Sequence, residues 1–120
     1  NGSILTLTYL GATRALSNYN VMGSAKASLE SNVRYLALCC GQRGIRVNAV
    51  SAGPIRTPSA SGVKDLRTMI DIVAEKSPIA KPINIDQVGN TCAFLASDLA
   101  SGITGSTIFV DHGYHIMGMA

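Results

Sequence analysis

Tyr19 and Lys26 stand seven positions apart, almost two turns of an α-helix, so a helix running through them puts both on one face. The axial rise between them is roughly 10 Å, and a lysine side chain leaning toward the helix start closes much of that gap. An ammonium beside a phenol favours its ionised form and orients polar groups around it. The residues between and after them, Asn20-Val21-Met22-Gly23-Ser24-Ala25 and Ala27, are mostly small and uncharged, which permits close approach by a ligand or a second helix. A half-buried tyrosine and a solvated lysine with no chemistry between them fit the same spacing.

Two further segments belong with this pair by position. Tyr9 follows a β-prone run, Ser3-Ile4-Leu5-Thr6-Leu7-Thr8, and therefore sits just past a strand's carboxyl end, the rim where open α/β sheets bind ligands. A tyrosine that simply packs a loop would occupy the same place. Ser51-Ala52-Gly53-Pro54-Ile55-Arg56-Thr57 follows a second run, Ile45-Arg46-Val47-Asn48-Ala49-Val50, and reaches the same rim. Its small residues let backbone N–H and C=O groups meet a flat polar ring, and Thr57 offers a hydroxyl to a phosphate. A turn alone needs only the Gly-Pro pair, since Pro54 cannot donate to a ladder.

Periodicity sets the helices and strands that carry these residues. A helix is predicted from about Ser17 to Cys40, with Val21, Ala25, Ala27, Leu29, Val33, Leu36 and Cys40 recurring at helical spacing. Gly41 falls where a left-handed residue ends such a helix, and Gly44 is a second breaker. A weaker helical stretch covers Lys64 to Lys76, bracketed by Pro58, Pro78 and Pro82. Asn84 with Gln87 resembles a capping box opening a helix that ends near Leu99. A third strand spans Ser106 to Asp111, with Gly102 and Gly105 on its approach. The apolar runs are continuous and the connections too long for hairpins, so the prediction is a three-stranded parallel segment of a doubly wound α/β sheet with crossover helices.

The 120 residues are 47% hydrophobic and only 14% charged, which excludes disorder and is apolar for a free-standing domain of this size. The expectation is a piece of a larger domain, with apolar surface and a sheet edge for neighbours to cover. No apolar stretch approaches the ~18 residues of a membrane span, and no signal-like leader precedes the first strand. The net charge of +3 comes from dispersed basic residues, which gives nucleic-acid binding little support. Cys39, Cys40 and Cys92 have no metal-ligand spacing and fit core-filling thiols in a reducing cytoplasm.

The strings Tyr9-Leu10-Gly11-Ala12, Tyr19-Asn20-Val21-Met22-Gly23, Ala25-Lys26-Ala27-Ser28-Leu29-Glu30 and Val33-Arg34-Tyr35-Leu36 closely resemble the bacterial enoyl-acyl-carrier-protein reductases. So do Arg46-Val47-Asn48-Ala49, Ser51 to Thr57, Val88-Gly89-Asn90 and Gly102-Ile103-Thr104-Gly105, which extends the likeness over essentially the whole chain. The resemblance implies the carboxyl-terminal half of a Rossmann-type short-chain reductase, acting in the last reductive step of fatty-acid elongation. Its implied substrate is a trans-2-enoyl chain on acyl-carrier protein, its cofactor NADH, its assembly a homotetramer and its location the cytoplasm. Tyr19 and Tyr9 are implied as catalytic and substrate-binding residues, with the role of Tyr9 less settled. Lys26 is implied as a catalytic residue that also holds the nicotinamide ribose and keeps the site electropositive, and Gly53, Pro54, Ile55, Arg56, Thr57, Pro58 and Ser59 are implied to follow the cofactor, with Ile55 at the carboxamide. The stretch 59–73 resembles a mobile substrate loop whose Val63, Leu66 and Met69, with Met22, line an acyl channel. Lys64 and Arg67 could meet an acidic carrier protein or form an ordinary solvated face.

The sequence departs from the family pattern in places. Leu66 stands where many relatives carry Phe, Pro58 stiffens the start of the loop, and His112 replaces a commonly small residue as a structural substitution. The Gly-rich turn and amino-terminal strands that complete a dinucleotide site are not among these residues, so the chain alone is expected to bind NADH poorly. Carbonyl-reducing relatives use Tyr-x3-Lys, which would require lysine at Gly23. A non-catalytic piece is the remaining alternative.

Overall fold

The computed structural model describes residues 1–58 and 60–119; Ser59, one of the residues expected to follow the cofactor, lies outside them. Three strands and three helices follow one another as β1 (Gly2–Thr8), α1 (Asn20–Cys40), β2 (Ile45–Ala52), α2 (Leu66–Lys76), α3 (Ile85–Ala96) and β3 (Thr107–Val110). All strands are parallel in the order β1-β2-β3, with Gly2 opposite Ile45 through Thr8 opposite Ser51, and Ala49 opposite Thr107 through Ala52 opposite Val110. β2 is therefore central, and its alternating side chains feed two cores. Val47 and Ala49 pack with Val33 and Ala37 of α1, while Val50 packs with Val88 and Leu95 of α3 and with Ala100. Helices on both faces of a parallel sheet make this the doubly wound segment that the apolar runs predict.

Two polar residues of β2 tie the sheet to later parts of the chain. Asn48 is fully buried; its Nδ2 donates to the Ile103 carbonyl (2.9 Å) and its Oδ1 accepts from the Ser106 N–H (3.0 Å), which fixes the approach to β3. The Arg46 guanidinium donates to the carbonyls of Leu95 (2.8 Å) and Ser97 (3.0 Å) at the carboxyl end of α3. α3 opens with the expected capping box: Asn84 accepts from the Gln87 N–H and Gln87 from the Asn84 N–H. It ends at Ala96 rather than near Leu99, because Ser97 is extended and a separate 3-10 turn follows.

α1 departs from expectation in which face it buries. Gly23, Val33 and Ala37 are its buried residues, with Lys26, Glu30 and Cys40 half-buried on the same stripe. Val21 (76% exposed) and Leu36 (46%) point away from the sheet. Apolar side chains occur around most of the helix, so periodicity alone cannot choose the stripe. Gly41 is right-handed (φ −59°) and continues the helix as a 3-10 turn; Gly44 (φ +70°) supplies the left-handed stop. Cys40 and Cys92 pack against the two cores, but Cys39 is exposed and fills neither. His112 has φ +54°, a left-handed conformation that glycine adopts freely and that histidine, like Asn and Asp, enters more often than most other residues.

Only β2 pairs with β1 among the described residues, so the outer edge of β1 is unpaired, and Ile4 and Leu7 are about half exposed. α2 begins after Asp65, whose φ of +60° delays the helix to Leu66, and it lies against no other helix or strand closely. Among the described residues no helix is long and apolar enough to cross a membrane, and no cluster of His, Cys, Asp or Glu could hold a metal.

Candidate active site

The parallel sheet delivers the ends of β1 and β2 to one rim, and the start of α1 lies beside them. Tyr19 caps α1, and its carbonyl accepts the Gly23 N–H at 2.6 Å. Its ring meets Tyr9 edge-on, with centroids 5.4 Å apart and planes at 65°, a favoured aromatic geometry. Lys26 reaches the same strand end: its Nζ donates to the Leu7 carbonyl at 2.9 Å, two residues before Tyr9. Tyr9, Tyr19 and Lys26 thus converge at the carboxyl end of β1.

Two glycines make room for this arrangement. A Cβ on Gly11 would lie 2.6 Å from Cε2 of Tyr19, so no larger residue lets the phenol settle against the 3-10 turn Leu10–Ala12. A Cβ on Gly23 would lie 2.8 Å from the Gly11 carbonyl oxygen. Position 23 is buried against backbone, so the lysine of a Tyr-x3-Lys site has no space there. The Lys26 spacing is the one this packing admits.

Burial raises the pKa of Tyr19, and it pushes Tyr9 up to about 12, with Tyr19 and Tyr114 adding to the rise. The spacing leads one to expect an ammonium favouring the phenolate, but the cause acting on Tyr19 is removal from water, which favours the neutral phenol. Neither hydroxyl has a hydrogen-bond partner among the described residues. No buried side-chain polar atom there is left without one, so both phenol oxygens reach open space as neutral donors.

At the end of β2, Gly53 and Pro54 are buried. Gly53 lets the strand pass close to Asp111 and Ile83, and its N–H donates to the Val110 carbonyl at 2.8 Å. The Ile55 side chain joins the core under α3, while neither its N–H nor its C=O has a hydrogen-bond partner among the described residues. That leaves an amide at the rim able to pair with another amide. The Thr57 hydroxyl accepts from the Ala60 N–H at 3.1 Å, and its proton donates to no group among the described residues. Arg56 and Pro58 are exposed.

The expected acyl-channel residues do not line the cleft beside Tyr19. That cleft, of about 370 Å³, lies between residues 11–16 and the first turns of α1, and it is lined by none of Met22, Val63, Leu66 or Met69. Tyr9 and Lys26 do not line it either, so of the three residues at the rim only Tyr19 borders it. Val63, Leu66 and Met69 are half-buried along α2 and the turn before it, and Met22 is 47% exposed on α1. The segment expected to be a loop over 59–73 is helical from Leu66 onward.

Sequence reasoning missed three neighbours of the site. Thr8 Oγ1 donates to Glu30 Oε2 at 2.6 Å, joining the end of β1 to α1 one turn beyond Lys26. Tyr114 stands near enough to Tyr9 to raise its pKa. Arg14 donates to the carbonyls of His115 and Met117, tying the segment after β3 to the turn beside Tyr19. The i,i+4 relation of Lys26 and Glu30 was visible as a shared helix face, but the other two contacts depend on chain docking.

A doubly wound parallel sheet with a tyrosine and a lysine from one helix at its carboxyl rim defines the short-chain dehydrogenase/reductase class. The sequence pattern described as enoyl-(acyl carrier protein) reductase matches residues 1–115. The chain belongs to that family. It is 58% identical over 117 residues to the NADH enoyl-acyl-carrier-protein reductase of Bacillus cereus and 56% identical over 117 residues to that of Escherichia coli. These alignments cover 98% of this chain but 46% and 45% of the relatives, so the chain spans about half their length. Among solved structures, the Bacillus cereus reductase with NADP+ and an indole naphthyridinone superposes with a TM-score of 0.95, covering 98% of this chain and 46% of that one. The Anaplasma phagocytophilum reductase with NAD gives 0.91 at 45% identity, covering 99% of this chain and 43% of that one.

Proposed function

We propose that the protein containing this chain reduces the trans-2 double bond of an enoyl thioester carried on acyl-carrier protein, using NADH. The observation that carries the reading is that the Tyr19 ring packs edge-on to Tyr9, just past the end of β1, where Lys26 also donates to the Leu7 carbonyl. Residues 1–120 form the carboxyl-terminal part of one reductase domain, with 59–73 as its substrate-binding segment.

The residues present fit a nicotinamide nucleotide. Lys26 uses one donor on Leu7 and has two more for ribose hydroxyls. The Ile55 amide, which has no partner among the described residues, suits a carboxamide, the Thr57 hydroxyl suits a phosphate oxygen, and Arg56 and Pro58 continue along the same path. When bound, the nicotinamide supplies hydride to the β-carbon of the substrate. Negative charge then collects on the thioester carbonyl oxygen, where Tyr19 donates its hydrogen bond, until a proton from solvent reaches the α-carbon and completes the reduction. A donor aimed at developing charge lowers the barrier by about 3 kcal/mol. Tyr9, edge-on to Tyr19, shapes the site beside it. Met22, Val63, Leu66 and Met69 meet the acyl chain once the segment from 59 onward closes over it, and exposed Lys64 and Arg67 face the acidic carrier.

The protein assembles in the cytoplasm as a homotetramer, using α1, where Tyr35 is 67% and Leu38 74% exposed, and the last strand, β3. Light scattering on the complete protein should give four times the subunit mass, and a strict monomer would refute the assembly.

The activity is tested by following NADH consumption with a crotonyl thioester. Tyr19→Phe in the complete protein should lower kcat by about 10²–10³. A wild-type rate in Tyr19→Phe would defeat the assignment.

A further inference from the structure

Lys26 and Glu30 are one helical turn apart on the stripe of α1 that faces the sheet, and they grip adjacent residues of β1. Lys26 Nζ donates to the Leu7 carbonyl at 2.9 Å, and Glu30 Oε2 accepts the Thr8 hydroxyl proton at 2.6 Å. Thr8 is only 5% exposed and points to the same side of the sheet as Ala49 and Val47, toward α1. A hydrogen bond to a carboxylate from a nearly buried hydroxyl is short, directional and stronger than a neutral one. No ion pair joins Lys26 to Glu30 among the described residues: the carboxylate is engaged by Thr8 and the ammonium by Leu7.

This division of contacts has a geometric consequence. A lysine side chain has four rotatable bonds and on its own samples many positions. Its reach to the rim depends on the distance between α1 and the end of β1, and the Thr8–Glu30 bond holds that distance one turn further along the helix. The Leu7 carbonyl then stands where it orients the ammonium and leaves two N–H groups for a ligand. We propose that Glu30 and Thr8 are positioning residues for Lys26: their hydrogen bond clamps α1 to the carboxyl end of β1 and so aims the ammonium at the nicotinamide ribose. The inference rests on the proposed reductase function and adds to it a clamp that touches neither substrate nor cofactor.

The test is a double-mutant cycle on the complete protein, read as NADH affinity by fluorescence titration, with thermal melting to show that each variant is folded. Glu30→Ala should weaken NADH binding about tenfold, from loss of a hydrogen bond to a charged group. Glu30→Gln keeps an acceptor for Thr8 and should stay within about threefold of wild type. In a Lys26→Ala background, Glu30→Ala should change affinity less than about twofold, because nothing is left to aim. Thr8→Val, which keeps the shape and removes the donor, should repeat the contrast in both backgrounds and replaces Glu30→Ala should that variant fail to fold. Wild-type affinity in a folded Glu30→Ala or Thr8→Val variant, or equal losses with and without Lys26, would overturn the clamp. Wild-type affinity in Lys26→Ala itself would overturn the reading of the site as well, and so separates the two failures.

Discussion

A phenol serves as a hydrogen-bond donor only while it keeps its proton; an ordinary tyrosine does so at neutral pH, and burial at the rim extends that to higher pH for Tyr9 and Tyr19. Tyr9 is raised to about 12 and Tyr19 is raised in the same direction, each mainly by burial. Because the folded values lie above the ordinary value of about 10, the folded state holds these protons more tightly than the unfolded chain does. Their contribution to stability is therefore complete below pH 10 and is lost as the pH rises toward 12. Denaturant midpoints of the complete protein should fall over that window, and the fall should be smaller in Tyr9→Phe. An unchanged slope in Tyr9→Phe would remove Tyr9 as the source. The helical spacing of Tyr19 and Lys26 was readable from the sequence, because two turns of helix fix a face whatever surrounds it. The rise in the phenol pKa and the Thr8–Glu30 bond were not readable. Both depend on how closely α1 docks against β1, which no local pattern encodes.

At the scale of elements, the strands were legible to within two residues at either end, since continuous apolar runs bounded by glycine and proline admit few alternatives. Helix ends were legible where a side chain makes the cap, as at Asn84 and Gln87, and the end of α1 at Cys40 was legible too, whereas the start of α2 and the residue that turns the chain after α1 were not. Asp65 in a left-handed conformation delays α2, and Gly44 rather than Gly41 stops the chain after α1. The buried face of α1 was misread because Val21 and Leu36 are apolar yet turned outward. What selects the true face is the close approach of Gly23 to the Gly11 carbonyl. Gly23→Ala sets a methyl 2.8 Å from that oxygen, and backbone cannot swing aside as a flexible side chain does. The substitution should destabilise the protein by about 1–3 kcal/mol despite the better helix propensity of alanine, and it should displace Tyr19. A raised denaturant midpoint in Gly23→Ala would show that the turn and helix do not meet there.

For the molecule as a whole, the exposed Ile4 and Leu7 of β1 and the unpaired edge beside them agree with a composition too apolar for a domain of this size. They also agree with relatives about twice as long. Half of a doubly wound sheet brings the phenols, the ammonium and the Ile55 amide to one rim. The glycine-rich phosphate turn that such folds use lies outside these residues, so the whole protein is the unit in which the chemistry is tested. The most direct measurement is a crystal structure of the complete protein with NADH and an unreactive acyl thioester. Tyr19 Oη should stand about 2.7–3.1 Å from the thioester oxygen, with the Lys26 ammonium on the nicotinamide ribose and the Ile55 amide on the carboxamide. A nicotinamide bound with Tyr19 and Lys26 directed away from it would contradict the account.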